Sequence, residues 1–134
     1  MQPVEVLLVE DNTGDALLVQ QALFGCPFPV NLHLARDGEQ ALLLLTNPQI
    51  EFQLIILDLN IPKITGSALL RRWSIGSTPV VVFSSSTNVS EKERSLALGA
   101  REFISKPTDL EEFTRTVCSM VERWASPQGT AAGL

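Results

Sequence analysis

An α/β fold, a doubly wound parallel sheet of five strands with five helices, is predicted by three features of the sequence. Short β-branched or aliphatic runs alternate with segments of helical period along the whole chain. Two of those runs, Leu54–Leu57 and Val80–Phe83, are apolar throughout, as strands covered on both faces are. The length, 134 residues, suits one domain, and 45% apolar against 19% charged residues supplies a core that needs no metal or disulfide staple. Alternating βα units then imply one parallel sheet, helices on both faces and right-handed crossovers.

Each element follows in order. Val4 to Val9 reads as the first strand. Ala16, Val19 and Leu23 keep helical spacing, and Gly25 and Pro27 stop that helix. Val30 to Ala35 alternates as the second strand; its lone His33 is expected to be a surface or packed strand residue, not a ligand or a base. Asp37, with Gln40 three residues on, opens a helix containing Ala41, Leu44 and Leu45, which Asn47-Pro48 breaks. Leu54–Leu57 is the third strand. Gly66 precedes a short helix through Leu69, Leu70 and Trp73, ended by Gly76, and Pro79 leads into the fourth strand. Ser90-Glu91-Lys92-Glu93 is a capping box opening a mostly polar helix that closes at Gly99. Glu102 to Ile104 is a short fifth strand. Thr108-Asp109-Leu110-Glu111 is a second capping box, followed by a stripe of Leu110, Phe113, Val117, Met120, Val121 and Trp124. One sheet edge does not easily bury that whole stripe, so Met120 and Trp124 are expected near the rim. The domain is expected to occupy residues 1–125, with the aperiodic residues 126–134 as a frayed, disordered tail.

A net charge of −5 argues against a basic nucleic-acid-binding face. No apolar run approaches the length of a membrane span, and the N-terminus has no basic region preceding an apolar one, so neither membrane insertion nor a signal peptide is expected. Cys26 and Cys118 are expected as reduced, half-buried thiols of a cytoplasmic protein.

In doubly wound sheets chemistry gathers at the carboxyl ends of the strands. Here those ends carry Glu10-Asp11, Asp58, Ser84 and Lys106-Pro107. Close carboxylates repel unless a cation neutralises them. Hard oxygen donors with no His or Cys nearby suit Mg²⁺, held by Glu10, Asp11, Asp58 and the backbone carbonyl of Asn60. Asp58, directly after an apolar strand, is costly to bury unpaired and is the candidate nucleophile for a phosphoryl group. Lys106 would hold a phosphoryl oxygen as a point charge, and the Ser84 hydroxyl would donate to the same oxygen. Each signal is weak alone; one per strand end, in this order, they form a specific set.

On these residues the chain closely resembles the receiver domain of two-component response regulators. The resemblance runs through Val6-Leu7-Leu8-Val9-Glu10-Asp11-Asn12, Leu54 to Pro62, Gly66, Pro79 to Ser85, Gly99-Ala100 and Ser105-Lys106-Pro107, and covers about residues 4 to 124. It implies a flavodoxin-like sheet of strand order 2-1-3-4-5. It implies that Asp58 accepts a phosphoryl group from a phosphohistidine of a sensor kinase, and that Ser84 and Phe103 form a switch pair. In that switch the hydroxyl moves towards the phosphate, the aromatic turns inward, and the face made by helix 4, strand 5 and helix 5 repacks. A cis Lys106-Pro107 bond is also implied. A narrower resemblance, in Asp11 to Leu18, Asp58 to Lys63 and Lys106 to Leu110, is to the stand-alone regulators paired with bacterial phytochromes. It implies a phytochrome-type kinase as partner and, with an apolar patch left near the rim of the last helix, favours a homodimer through the helix 4–strand 5–helix 5 face over a monomer with the whole stripe in the core. Against that branch stand the short stretch before strand 3, the short Arg71 to Thr78 segment, Thr65 before the helix-3 glycine, and Phe in place of Tyr at position 103.

Rival readings fit less well. A dehalogenase-type phosphatase wants a second Asp two residues after the nucleophile, where this chain has Asn60. A receiver-like module that is never phosphorylated would have lost part of the acid pocket or the lysine. A flavin or nucleotide carrier would want a Gly-rich loop after strand 1, where Glu10-Asp11 stands.

Overall fold

The structure is a computed structural model that describes residues 2–61, 66–73 and 76–125. The expected tail over 126–134 and the Thr65 cap lie outside the described residues. The elements are β1 (Val4–Val9), α1 (Thr13–Phe24), β2 (Val30–Ala35), α2 (Gly38–Leu45), β3 (Leu54–Leu57), α3 (Gly66–Trp73), β4 (Val80–Ser84), α4 (Val89–Ala97), β5 (Glu102–Ser105) and α5 (Leu110–Ala125). The sheet is parallel with order β2-β1-β3-β4-β5.

The two-residue period of the strands sorts the core into two layers. Val4, Val6, Leu8, Leu54, Ile56, Val81 and Phe83 pack with Ala16, Val19 and Leu23 of α1 and with Phe113, Val117, Met120 and Val121 of α5. Their neighbours Leu7, Val9, Ile55, Leu57, Val80 and Val82 point the other way, onto Ala41, Leu69 and Leu70 of α2 and α3. Burial on both faces explains why β3 and β4 lack polar residues until their last turn towards the rim.

Local signals place most boundaries. Asp37 Oδ1 accepts from the Gln40 amide at 2.8 Å and opens α2. α4 ends in a Schellman motif: Ala100 N donates to Ser95 O and Gly99 N to Leu96 O. Gly99 has φ 113°, which L side chains rarely adopt. Two caps differ from expectation. α4 is capped by Asn88, whose Oδ1 accepts from Ser90 N at 2.8 Å and Glu91 N at 3.2 Å, so Ser90 lies inside the helix. Before α5 it is Asp109, not Thr108, that accepts from the Glu112 amide, at 2.9 Å.

Two further expectations are corrected, those for Met120 and for the cysteines. Met120 is wholly buried between α5 and the sheet; Leu110 is the stripe residue left out, at 61% exposed. Trp124 is half-buried and donates through Nε1 to Glu102 at 2.9 Å, so its polar edge has a partner on β5. Cys26 and Cys118 are joined as a disulfide with a Cα–Cα distance of 5.6 Å, because α1 and α5 lie side by side on one face of the sheet and bring the two residues together. His33 is half-buried as expected, with Nε2 2.7 Å from Glu5 Oε1 and its ring edge-on to Phe52.

Candidate functional site

The hydrogen-bond ladder of the sheet continues one residue past several strands, and those residues bear charge. Glu10 N donates to Ala35 O at 2.9 Å, Asp58 N to Val9 O at 3.0 Å, and Lys106 N to Ser84 O at 2.7 Å. Glu10, Asp58 and Lys106 are thus held by backbone geometry at one rim, before any side chain is placed. Their side chains then converge.

Lys106 Nζ donates to Glu10 Oε1 at 2.6 Å, to Asp15 Oδ2 at 2.8 Å and to Asp58 Oδ2 at 2.9 Å. An ammonium has three hydrogens, so its donor capacity is filled. Glu10, Asp58 and the Lys106 side chain are all buried, while Asp15 is partly exposed. The second oxygens of Asp58 and Glu10 are also fixed. Asp58 Oδ1 accepts from the Asn60 amide at 2.9 Å, and Glu10 Oε2 from the Asn12 amide at 3.2 Å. Phe83 lies beneath the lysine, its ring centroid 5.9 Å from Nζ.

The electrostatics follow from burial and contact. Burial pushes the Glu10 carboxyl up to about 7; the Lys106 bond pulls against that and the Asp58 charge adds to it. Burial would push the Lys106 ammonium down, but its bonds to Asp15, Glu10 and Asp58 outweigh it and hold the ammonium well above the usual lysine range.

The sequence set is therefore brought together in part. Glu10, Asp58 and Lys106 meet directly. Asp11 is exposed, and its backbone carbonyl accepts from Arg36 Nη2 at 3.0 Å. Ser84 is fully buried, with Oγ accepting from the Ser86 amide at 3.1 Å. Phe103 already packs inward, 9% exposed, in the core layer with Leu57 and Val82. The Lys106-Pro107 bond is not cis: no cis peptide bond occurs among the described residues. With a trans bond, the Lys106 amide is fixed by Ser84 O and the side chain still reaches the acids.

The roles foreseen for Glu10 and Lys106, one towards a metal and one towards a phosphoryl group, are merged in a single ion-pair cluster. No group of three or more His, Cys, Asp or Glu side chains among the described residues is arranged to hold a metal ion. The donor chemistry nonetheless suits one: Glu10 and Asp58 are hard oxygen donors that already converge on a cation.

Asp15 was not foreseen. It lies in the first turn of α1, and its signal was positional: that helix begins at the same rim, four residues beyond Asp11.

Comparison with known proteins identifies the family. The family model described as the response regulator receiver domain matches residues 6–118. The probable methanogenesis regulatory protein FilR2 of Methanothrix harundinacea is 31% identical over 130 residues, spanning 91% of this chain and 84% of that protein. The cell cycle response regulator CtrA of Brucella ovis is 30% identical over 122 residues, and the match spans 90% of this chain but only 51% of CtrA. Among solved structures, the phosphorylated cyanobacterial phytochrome response regulator RcpA is 31% identical with a TM-score of 0.84, covering 92% of this chain and 94% of RcpA. The Mn²⁺-bound form of the response regulator Rcp1 is 29% identical with a TM-score of 0.82, covering 93% of this chain and 96% of Rcp1. With the 2-1-3-4-5 sheet beneath that match, the chain belongs to the response regulator receiver domain family of two-component systems.

Proposed function

We propose that this receiver accepts a phosphoryl group on Asp58 from a phosphohistidine of a sensor kinase. The observation that carries the reading is the setting of Asp58: buried at the end of β3, one oxygen on the Asn60 amide and the other on the Lys106 ammonium. These bonds fix both oxygens of the carboxylate at the rim. One carboxylate oxygen would attack phosphorus, the donor nitrogen would leave with its electron pair, and an acyl phosphate would result. The Lys106 ammonium, released from that oxygen, would pair with a phosphoryl oxygen. Mg²⁺ held by Glu10, Asp11, Asp58 and the Asn60 carbonyl would neutralise charge on the phosphoryl oxygens. The Mn²⁺-bound Rcp1 supports a divalent ion in this role.

Ser84 and Phe103 are the proposed switch pair, with the Ser84 hydroxyl moving from the Ser86 amide to the phosphoryl group. Phe103 is inward in the structure described, so the change would fall mainly on the β4–α4 loop. The likeness to RcpA supports a phytochrome-type kinase as the phosphodonor. A cytoplasmic site of action would follow from that partner. Self-association through α4, β5 and α5 would rest on the exposed Val89, Leu96 and Leu110, not on Met120; sedimentation with and without a phosphate mimic tests it, and a strictly monomeric species in both would refute it.

The central test is incubation with acetyl phosphate and Mg²⁺, followed by intact-mass measurement. One alkali-labile phosphate is expected on the wild-type chain and none on Asp58→Asn, whose side chain has the same shape. A stoichiometric adduct on that variant would overturn the assignment.

A further inference from the structure

We propose that Asp15 is a positioning residue that keeps the Lys106 ammonium in the pocket while Asp58 exchanges its carboxylate for an acyl phosphate. The inference rests on the phosphoacceptor reading of Asp58 and adds to it a residue outside the acid pair.

The argument starts from the helix that carries Asp15. Asn12 caps α1, and its Oδ1 accepts from the Asp15 amide at 2.9 Å. An acid at the third helical position commonly turns back to accept from the N-cap amide. Here the Asn12 amide donates to Glu10 Oε2 instead. The Asp15 carboxylate is thereby free to reach inward, and its Oδ2 lies 2.8 Å from Lys106 Nζ.

The three acceptors of the ammonium differ in what the reaction asks of them. Asp58 becomes an acyl phosphate, so the hydrogen it accepts from Lys106 must pass to a phosphoryl oxygen. Glu10 is drawn towards a divalent cation in the same reading. Asp15 has neither task. It is the one acceptor that keeps its bond to Lys106 before and after transfer, and it restrains a long, flexible side chain that would otherwise lose its partners together. Its partial exposure lets it adjust as the charge in the pocket changes.

The test combines two measurements on the full chain. In the first, phosphorylation by acetyl phosphate at saturating Mg²⁺ is timed for wild type, Asp15→Asn, Asp15→Glu, Lys106→Ala and the Asp15→Asn/Lys106→Ala double variant. Asp15→Asn keeps an acceptor oxygen but loses the charge that strengthens the bond, and should slow the maximal rate about tenfold. Mg²⁺ affinity by calorimetry should stay within about twofold, since Asp15 is not a metal ligand in this scheme. Asp15→Glu should restore much of the rate. In the Lys106→Ala background Asp15→Asn should have no further effect, because a residue acting only through Lys106 has nothing left to position. Equal and independent losses in both backgrounds, or a wild-type rate for Asp15→Asn, would overturn the proposal. The second measurement needs no phosphorylation: reductive methylation of Lys106, read by peptide mass spectrometry against the exposed Lys92, should be several-fold faster in Asp15→Asn. Unchanged labelling would overturn the tether, whereas a wild-type chain that takes no phosphate but shows the labelling difference would sink the Asp58 reading and leave the tether standing.

Discussion

Replacing Lys106 by alanine would leave Glu10, Asp15 and Asp58 facing one another with no cation between them. Removing one partner of a buried ion pair costs about 3–5 kcal/mol, because the remaining charge is uncompensated. Metal-free Lys106→Ala is therefore expected to melt well below wild type, and Mg²⁺ should recover part of the loss by binding the folded state. A variant as stable as wild type in EDTA would contradict the ion-pair cluster. Glu10 sets a pH dependence of its own. Burial raises its folded-state pKa to about 7 from an ordinary 4.5, so the folded chain binds that proton more tightly than the unfolded one. The stabilisation is full below about 4.5 and is lost as pH rises through about 7, a change of at most about 3 kcal/mol. Glu5, held low by the Asn31 amide, and Glu102, where the Trp124 and Arg123 bonds outweigh burial, act oppositely, losing their contribution as pH falls below the usual carboxylate range. In EDTA the melting temperature should therefore decline between pH 5 and pH 7.5, and Glu10→Gln should flatten the decline. At this scale the sequence disclosed Glu10, Asp58 and Lys106 because each stands at the end of a strand, the first two directly after an apolar run. Asp15 sits inside a helix, where its carboxylate looked like ordinary first-turn charge.

α3 is pressed against the loop that carries the acceptor. A Cβ at Gly66 would lie 2.5 Å from Leu59 Cα and 2.8 Å from Leu59 O, between Asp58 and Asn60 in the chain. Those are backbone atoms, so no side chain can swing aside. Gly66→Ala is expected to cost about 1–3 kcal/mol, as overpacking does, and to displace the Asn60 amide that holds Asp58 Oδ1. Slower acetyl phosphate labelling together with a lower melting temperature is the expected result; a variant matching wild type in both would show that α3 yields freely. The elements themselves were readable because period and punctuation agree: β1, β2 and β3 fall on their anticipated residues. The caps were less readable for a physical reason. Asn88 and Ser90, and likewise Thr108 and Asp109, are all competent acceptors within a residue or two of each helix start. Which one caps depends on the angle at which the chain leaves the sheet, and local spacing does not encode that angle.

Across the whole molecule, α1 and α5 share one face of the sheet, and that neighbourhood decides two things periodicity did not reveal. Met120 is buried because the α5 stripe meets α1 as well as the strands, so the available cover is wider than one sheet edge. Cys26 and Cys118 meet for the same reason, although 92 positions separate them in sequence. Composition argued for free thiols, since a core of this size does not require a cross-link. The three-dimensional arrangement makes the cross-link geometrically available, with the residues at an ordinary disulfide Cα spacing. A bond closing so long a loop restricts the unfolded chain strongly; the chain-entropy model gives about 4–5 kcal/mol, a ceiling that residual structure in the unfolded state lowers. Protein purified without reductant should gain about 2 Da on reduction, two hydrogens for one S–S bond, and then take two alkylating groups. Its melting temperature should fall by about 5–15 °C. Cys26→Ser and Cys118→Ser should each reproduce the lower value and become insensitive to reductant. Should the unreduced chain already alkylate at both positions and melt at the same temperature with and without dithiothreitol, the two sulfurs are neighbours in the fold but not bonded, and the packing of α1 on α5 holds without them.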